Sequence, residues 1–243
     1  MKCIILCAGY ATRLYPLTQN QPKALLSVGK NTILGQIMEN VEKLNQVDEV
    51  FIVTNDRFFE NFNNWLKTSK TKKAIEIVNN GTKTNEERLG AIGDIDFVMQ
   101  RKNIKEDVLL IAGDNLFDFS LKEFITFFKK NGSSIALYDM KDKSKVAKKL
   151  GVAMIDSKNK ITGFEEKPQN PKSTLAATCC YALKKESIGK LPEYIKSGRK
   201  DNPGDFIAWL RDREDMYGFT CSGNWFDIGS FESLEDANKA YKG

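Results

Sequence analysis

Residues 1–25 read MKCIILCAGYATRLYPLTQNQPKAL, in which the apolar run Ile4-Ile5-Leu6 breaks at Ala8-Gly9 and then delivers Thr12, Arg13 and Lys23. A buried strand running into a small-residue loop with two cations behind it is a phosphate site in outline. Glycine and alanine let backbone amides approach an anion closely. Arg13 would add a bidentate fork and Lys23 a point charge to neutralise that anion. The stretch predicts the first strand of an α/β sheet whose loop grips a nucleotide.

The pattern repeats outward from there. Ile33, Ile37, Val41 and Leu44 follow the helical period, and Val50-Phe51-Ile52-Val53 then reads as a buried strand. Phe58, Phe62 and Trp65 predict a second helix, Ile75 to Val78 a third strand, and Val108 to Ile111 a fourth that ends in Gly113-Asp114-Asn115. Ser120 with Glu123 three residues on is a capping-box pattern ahead of a helix through Phe124 and Phe128, and Ile135 to Tyr138 is the next strand. Strands that are apolar throughout and alternate with amphipathic helices imply a Rossmann-like, mostly parallel mixed sheet with helices on both faces. Ligands then sit at the carboxyl ends of the strands.

Beyond Lys141 the grain changes. Val152 to Ile155, Lys160 to Phe164 and Leu175 to Leu183 are short strands without helices between them, which predicts a small antiparallel β insertion against the sheet. Asn202-Pro203 supplies an N-cap and an N1 proline for a helix through Phe206 and Leu210, and Ser230 opens a last helix to about Tyr241. No internal repeat or linker interrupts the chain, so one domain over residues 1–243 is expected.

Composition narrows the chemistry. The 243 residues carry 37 Lys+Arg against 32 Asp+Glu and no histidine. The missing histidines exclude Ser/His and Cys/His nucleophile pairs and every histidine-containing zinc site. The net charge of +5 is mild, and the lysine groups at 67–73 and 141–149 lack the interleaved aromatics that stack bases, so no nucleic-acid partner is expected. Five cysteines without a CxxC pair read as core residues of a reduced, cytoplasmic protein. No run reaches membrane-spanning length and no secretion signal is expected.

Asp114 closes a buried strand at the edge where ligands bind, although a turn-forming aspartate would look the same. Asp227 follows Trp225 and Phe226, and Ser230 is better placed than it to cap the last helix. Two aspartates converging beside Arg13 and Lys23 would make an oxygen-ligand site for Mg²⁺, which takes a couple of carboxylates plus substrate phosphates. Glu165-Glu166-Lys167-Pro168 ends another strand. Pro168 stops that strand and is expected to hold Lys167 extended.

These elements resemble the sugar-1-phosphate nucleotidyltransferases, the family of glucose-1-phosphate thymidylyltransferase and its uridylyl and cytidylyl relatives. The resemblance covers nearly the whole chain: Gly9-Tyr10-Ala11-Thr12-Arg13-Leu14, Pro16-Leu17-Thr18 and Pro22-Lys23, then Gly113-Asp114, Glu166-Lys167-Pro168, and Trp225, Asp227 and Gly229, in the family's order. It implies the nucleotide-diphospho-sugar transferase fold, with residues 1–140 holding the nucleotide and 141–243 the sugar phosphate. It implies a Mg²⁺-dependent enzyme that joins a nucleoside triphosphate to a sugar 1-phosphate and releases pyrophosphate. By the same resemblance Arg13, Lys23, Asp114 and Lys167 are catalytic and Asp114 and Asp227 hold the metal. Leu6, Ala8, Gly9, Thr12, Asn80, Gly81, Leu89, Gly90 and Gly113 serve the nucleotide, and Gly151, Glu166, Lys167 and Tyr181 the sugar phosphate. The stretch Thr82 to Gly93 departs from the thymidylyltransferase pattern, and Tyr10 and Ala11 stand where the family usually has less bulky residues.

Two rivals remain at this point: a cytidylyltransferase acting on phosphocholine or another phosphorylated alcohol, and a nucleotide-sugar-binding regulatory protein without turnover. The first would need an aromatic pocket for a quaternary ammonium, to which Tyr138, Tyr181 and Trp225 could contribute. The presence of both aspartates and all three cations argues against the second. Self-association is left open by the sequence.

Overall fold

The hydrophobic run at the amino terminus forms the middle of a sheet, seen in a computed structural model that describes residues 1–198 and 202–241. β1 (Lys2–Leu6) leads through tight turns at Thr12–Leu14 and Lys23–Leu25 and the small hairpin of β2 (Ser27–Val28) and β3 (Asn31–Thr32) into α1 (Ile33–Val41). Thr32 starts that helix, its Oγ1 accepting from Gly35 N at 3.0 Å. β4 (Glu49–Thr54), α2 (Phe59–Thr68), β5 (Ala74–Asn79), α3 (Gly90–Arg101) and β6 (Val108–Ala112) continue the alternation.

β7 (Asn115–Phe117), α4 (Leu121–Asn131), β8 (Ser134–Asp139) and the single turn α5 (Lys143–Val146) follow. Next come β9 (Val152–Ile155), β10 (Ile161–Glu165), β11 (Leu175–Leu183) and the short helices α6 (Lys185–Ile188) and α7 (Leu191–Lys196). The chain ends with α8 (Pro203–Arg211), β12 (Tyr217–Thr220), β13 (Trp225–Asp227) and α9 (Phe231–Ala240).

One nine-stranded sheet runs through both halves, with β10-β9-β11-β6-β1-β4-β5 in order and β8 and β12 branching from β11. β5, β4, β1 and β6 are parallel, whereas β11 lies antiparallel to β6 in register Cys180↔Ile111. The three later strands were expected to lie against the sheet. They extend it instead, because β11 is apolar on both sides and bonds β6, β8 and β9 at once. A bulge between Ala177 and Tyr181 lets it serve two partners.

Alternate side chains of the central strands feed two cores. Cys3, Ile5, Leu109 and Ile111 pack with α1, α2, α4 and α9, while Ile4, Val108 and Leu110 pack with α3, α7 and α8 on the other face. Fully buried side chains such as Phe124 and Phe206 each contribute about 1.5–3 kcal/mol of transfer energy, which holds the two helical layers on the sheet.

Ser120 Oγ accepts from Glu123 N, as the capping pattern predicts, but the box that closes on both sides is that of Ser230 and Ser233 at α9. Asn202 occupies the N-cap of α8 without capping it; its Nδ2 donates to Asp205 Oδ2 at 3.1 Å.

Candidate active site

The parallel strands end along one edge, and a cavity of about 440 Å³ opens there. At its centre the chain leaves β6 through Gly113, whose N–H donates to Leu6 O at 2.9 Å. A Cβ at Gly113 would collide with Cys7 Sγ, so glycine is required for this close approach and Asp114 follows at the strand end.

Asp227 comes from 113 positions later in the chain. β13 pairs antiparallel with β7, Asp227 lies opposite Asn115, and Ile228 N donates to Asp114 O at 3.0 Å. The two acids therefore share one edge of one short ribbon. Trp225 Nε1 donates to Asn115 Oδ1 at 2.7 Å, and Asn115 Nδ2 donates to Asp114 Oδ1 at 2.9 Å. This relay, buried at its Trp225 end, fixes the orientation of the Asp114 carboxylate.

Lys23 Nζ sits 2.6 Å from Asp114 Oδ2. Burial works to raise the Asp114 pKa, but the Lys23 charge and the bonds from Lys23 and Asn115 outweigh it and hold the acid below its ordinary value. Asp227 moves the other way. Its setting among protein atoms, with repulsion from Asp114, pushes it up to about 6, against the opposing pull of Lys23, Arg13 and Lys167. Asp114, Lys23, Arg13 and Lys167 thus all lie within electrostatic reach of Asp227.

The loop after β1 is anchored from below. Thr18 Oγ1 donates to Ala11 O at 2.7 Å, Asn55 Nδ2 to Ala8 O at 2.9 Å, and the buried Tyr10 hydroxyl to Thr82 O at 3.0 Å. The bulk at Tyr10 is a tether between this loop and the turn after β5.

On the opposite side, Glu166 and Lys167 leave β10 with Lys167 Nζ 3.6 Å from Glu166 Oε1. Lys167 is not extended, contrary to the expectation from Pro168. Its φ is 45°, a left-handed turn that takes the chain sharply out of β10. Gly204, in the first turn of α8, faces the Glu166 carboxylate so closely that a Cβ would strike Oε2, and a Cβ at Gly151 would come within 2.9 Å of the same atom. Burial, opposed by Lys167 and reinforced by Asp205, raises the Glu166 pKa. The Tyr181 hydroxyl donates to Cys179 Sγ at 3.6 Å at the cavity wall.

Of the residues singled out in the sequence, Leu6, Ala8, Gly9, Gly90, Asp114, Gly151, Glu166, Lys167, Tyr181 and Asp227 line the cavity. Lys23 joins them through Asp114, and Arg13 is near enough to act on Asp227. Thr12, Asn80, Gly81, Leu89 and Gly113 are not among its walls. Asn80 is buried and bonded to Asp94 and Thr82, and Gly81, with φ 81°, turns the chain. Sequence reasoning missed Asp94, Asn115 and Gly204 as site residues.

With this geometry in place, kinship can be read. The profile of the nucleotidyl transferase family matches residues 2–243. The chain belongs to that family. It is 31% identical over 243 residues to the bifunctional protein GlmU of Methanocaldococcus jannaschii, covering 98% of this chain and 54% of that protein. It is 32% identical over 245 residues to GlmU of Methanococcus aeolicus, again covering 98% of this chain and 54% of the relative. This family member thus spans about half the length of those relatives.

Among solved structures, a Bacillus anthracis protein described as a glucose-1-phosphate thymidylyltransferase, in complex with sucrose, superimposes with TM-score 0.85 at 25% identity, covering 100% of this chain and 95% of that one. An apo UDP-glucose pyrophosphorylase shares the fold at TM-score 0.84 and 22% identity, covering 99% and 97%. The mixed α/β architecture of this nucleotidyl transferase is therefore that of the nucleotide-diphospho-sugar transferases.

The acidic pair also fits a metal. No cluster of three or more acidic, cysteine or histidine ligands occurs among the described residues. Two carboxylates brought together by one ribbon, one of them raised in pKa by its desolvated setting and then by its neighbour, form a hard-oxygen pair that a divalent cation with substrate phosphates would complete. No helix among the described residues is long and apolar enough to cross a membrane.

Proposed function

We propose that this chain transfers a nucleotidyl group from a nucleoside triphosphate to a sugar 1-phosphate, releasing pyrophosphate and forming a nucleotide sugar. The observation that carries the reading is the convergence of Lys23, Asp114, Asp227, Arg13 and Lys167 on one cleft, between a glycine-walled slot and a pocket lined by Glu166, Gly151 and Tyr181. The two halves of the chain divide the work in one domain: residues 1–140 take the triphosphate and 141–243 the sugar phosphate.

Such a step asks little covalent work of the protein. A phosphate monoester has a second pKa of about 6 and is already a dianion near neutral pH, so the nucleophile needs no histidine base. What it needs is two polyanions held in line and their charge neutralised. Arg13 and the backbone of Ala8 and Gly9 bind the triphosphate tail, and Lys23 stands beside the α-phosphorus. Lys167 holds the incoming phosphate, which the Glu166 carboxylate aligns by accepting from sugar hydroxyls. Asp114 and Asp227 are the residues that would hold Mg²⁺, which would neutralise charge on the phosphates.

Five buried or half-buried free thiols suit a reducing cytoplasm, where we place the protein. The test of function is a pyrophosphate-release screen of the common triphosphates against a panel of sugar 1-phosphates and phosphocholine, with Mg²⁺. Release that depends on a sugar 1-phosphate is expected. Release with phosphocholine alone, or none with any pair, would overturn the reading.

A further inference from the structure

The nucleotide slot contains a side chain that the proposed reaction does not use. Asp94, one turn into α3, is only 7% exposed yet lines the cavity. Its Oδ1 accepts from Asn80 Nδ2 at 2.7 Å, and Asn80 Oδ1 in turn accepts from the Thr82 N–H and hydroxyl. The Asn80 oxygen is thus occupied within the protein, one of its N–H groups is spent on Asp94, and the residue is not among the cavity walls. Asp94 Oδ2 has no hydrogen-bond partner among the described residues and is not among the sealed, unsatisfied atoms, so it faces the cavity.

The surroundings suit a flat ring. Leu6 and Ile95 provide apolar surface, nothing stands within 4 Å of a Cβ position on Gly9, and Gly90 takes φ 75° at the start of α3. Leu89 precedes α3 at the N-cap and gives it no side-chain cap, which leaves the N–H groups of its first turn as donors on the side of the carboxylate. Burial, only partly offset by Asn80, pushes Asp94 up to about 6, and no ion pair to it occurs among the described residues, although Arg88 and Lys149 line the same cavity. At neutral pH and above it is an ion with one open acceptor, and an unpaired buried carboxylate is costly unless a ligand supplies a donor.

We infer that Asp94 selects the nucleobase, its Oδ2 accepting the exocyclic amino group of cytosine while the first-turn N–H groups of α3 meet the ring nitrogen and carbonyl beside it. The inference rests on the reading of this cavity as a triphosphate site. Cytosine presents a donor followed by two acceptors, the complement of one carboxylate oxygen and a pair of N–H groups. Uracil and thymine would set a carbonyl oxygen against the carboxylate at the same point. Guanine, with its amino group at Oδ2, would set its N1–H donor against the first-turn N–H groups. Adenine offers only one acceptor after its amino group.

Calorimetric titration of CTP, UTP, dTTP, GTP and ATP, each with Mg²⁺ and without sugar phosphate, tests this on the wild-type chain, Asp94→Asn and Asp94→Ala. CTP is expected to bind at least about tenfold more tightly than any other, a ratio that Asp94→Ala removes. Asp94→Asn should bring the ratio to one or invert it toward UTP, since an amide can donate to a carbonyl. Wild-type affinity for another triphosphate equal to or above that for CTP would overturn the assignment, as would a ratio unchanged in both variants. A purely structural Asp94 would shift all five affinities together. Because no transfer is measured, failure of the pyrophosphate screen would remove the transferase reading while the affinity ratio still decides the role of Asp94.

Discussion

Lys23 Nζ lies 2.6 Å from Asp114 Oδ2, joining a loop that follows β1 to the end of β6 across the strand edge. The pair places a cation on one carboxylate and leaves Asp227, its neighbour at the β7–β13 ribbon, without a partner that close among the described residues. Loss of either member uncovers a charge. Asp114→Asn should cut turnover by at least about a hundredfold with the circular dichroism spectrum unchanged, and Lys23→Ala by a similar factor. Activity within a few-fold of wild type in either variant would contradict the assignment.

The relay from Trp225 through Asn115 to Asp114 predicts a different signature. Trp225→Phe keeps the ring and removes the 2.7 Å bond to Asn115 Oδ1, so the carboxylate loses its support without losing its charge. Apparent Mg²⁺ affinity, read from activity against metal concentration, should fall about tenfold, with KM for the triphosphate little changed. Wild-type metal dependence would show that Asn115 holds Asp114 unaided.

Gly204 is expected to control the sugar side. A methyl group there would strike Glu166 Oε2, so Gly204→Ala must displace that carboxylate or the first turn of α8. The expected outcome is a rise of about tenfold or more in KM for the sugar 1-phosphate at constant KM for the triphosphate. Equal rises in both would point to a general distortion of the cleft.

Asp94 makes stability depend on pH. Its folded pKa of about 6 stands above the 3.8 of an ordinary aspartate, so between these values the native state binds more protons than the unfolded chain and stability falls as pH rises. Asp94→Asn, which keeps an oxygen for Asn80, should match wild type near pH 4 and exceed it above pH 6, by on the order of 2 kcal/mol. Urea melts at the two pH values check this. A wild type that is the more stable at pH 8 would mean that the ion is solvated or paired.

Much of this arrangement was legible in the sequence. Gly113-Asp114 could be placed because an apolar run must be a buried strand and its last residues must emerge at the ligand edge. Glu166-Lys167-Pro168 and Trp225 to Asp227 were marked by the order of the family motifs, since by themselves they read equally well as charged or turn-forming strand ends. The pairing of β7 with β13 could not, because Trp225 and Asn115 are 110 positions apart and local spacing carries no trace of their contact.

Asp94 was hidden differently. On a helical wheel it resembles any polar residue of an amphipathic helix, and only the packing of α3 against β1 and β4 turns it inward. The start of α3 was invisible too, since Leu89 brings no capping side chain. The left-handed turn at Lys167 runs against what the following proline favours locally, so only the tertiary structure reveals it.

The central claim is that this cleft joins the α-phosphorus of a triphosphate to the phosphate of a sugar 1-phosphate. Phosphorus NMR of wild type and Asp227→Asn, incubated with CTP, a sugar 1-phosphate and Mg²⁺, tests it most directly. Wild type should produce a nucleotide sugar and pyrophosphate in equal amounts, and Asp227→Asn neither. Consumption of the triphosphate without the sugar phosphate, or an undiminished rate in Asp227→Asn, would contradict the account.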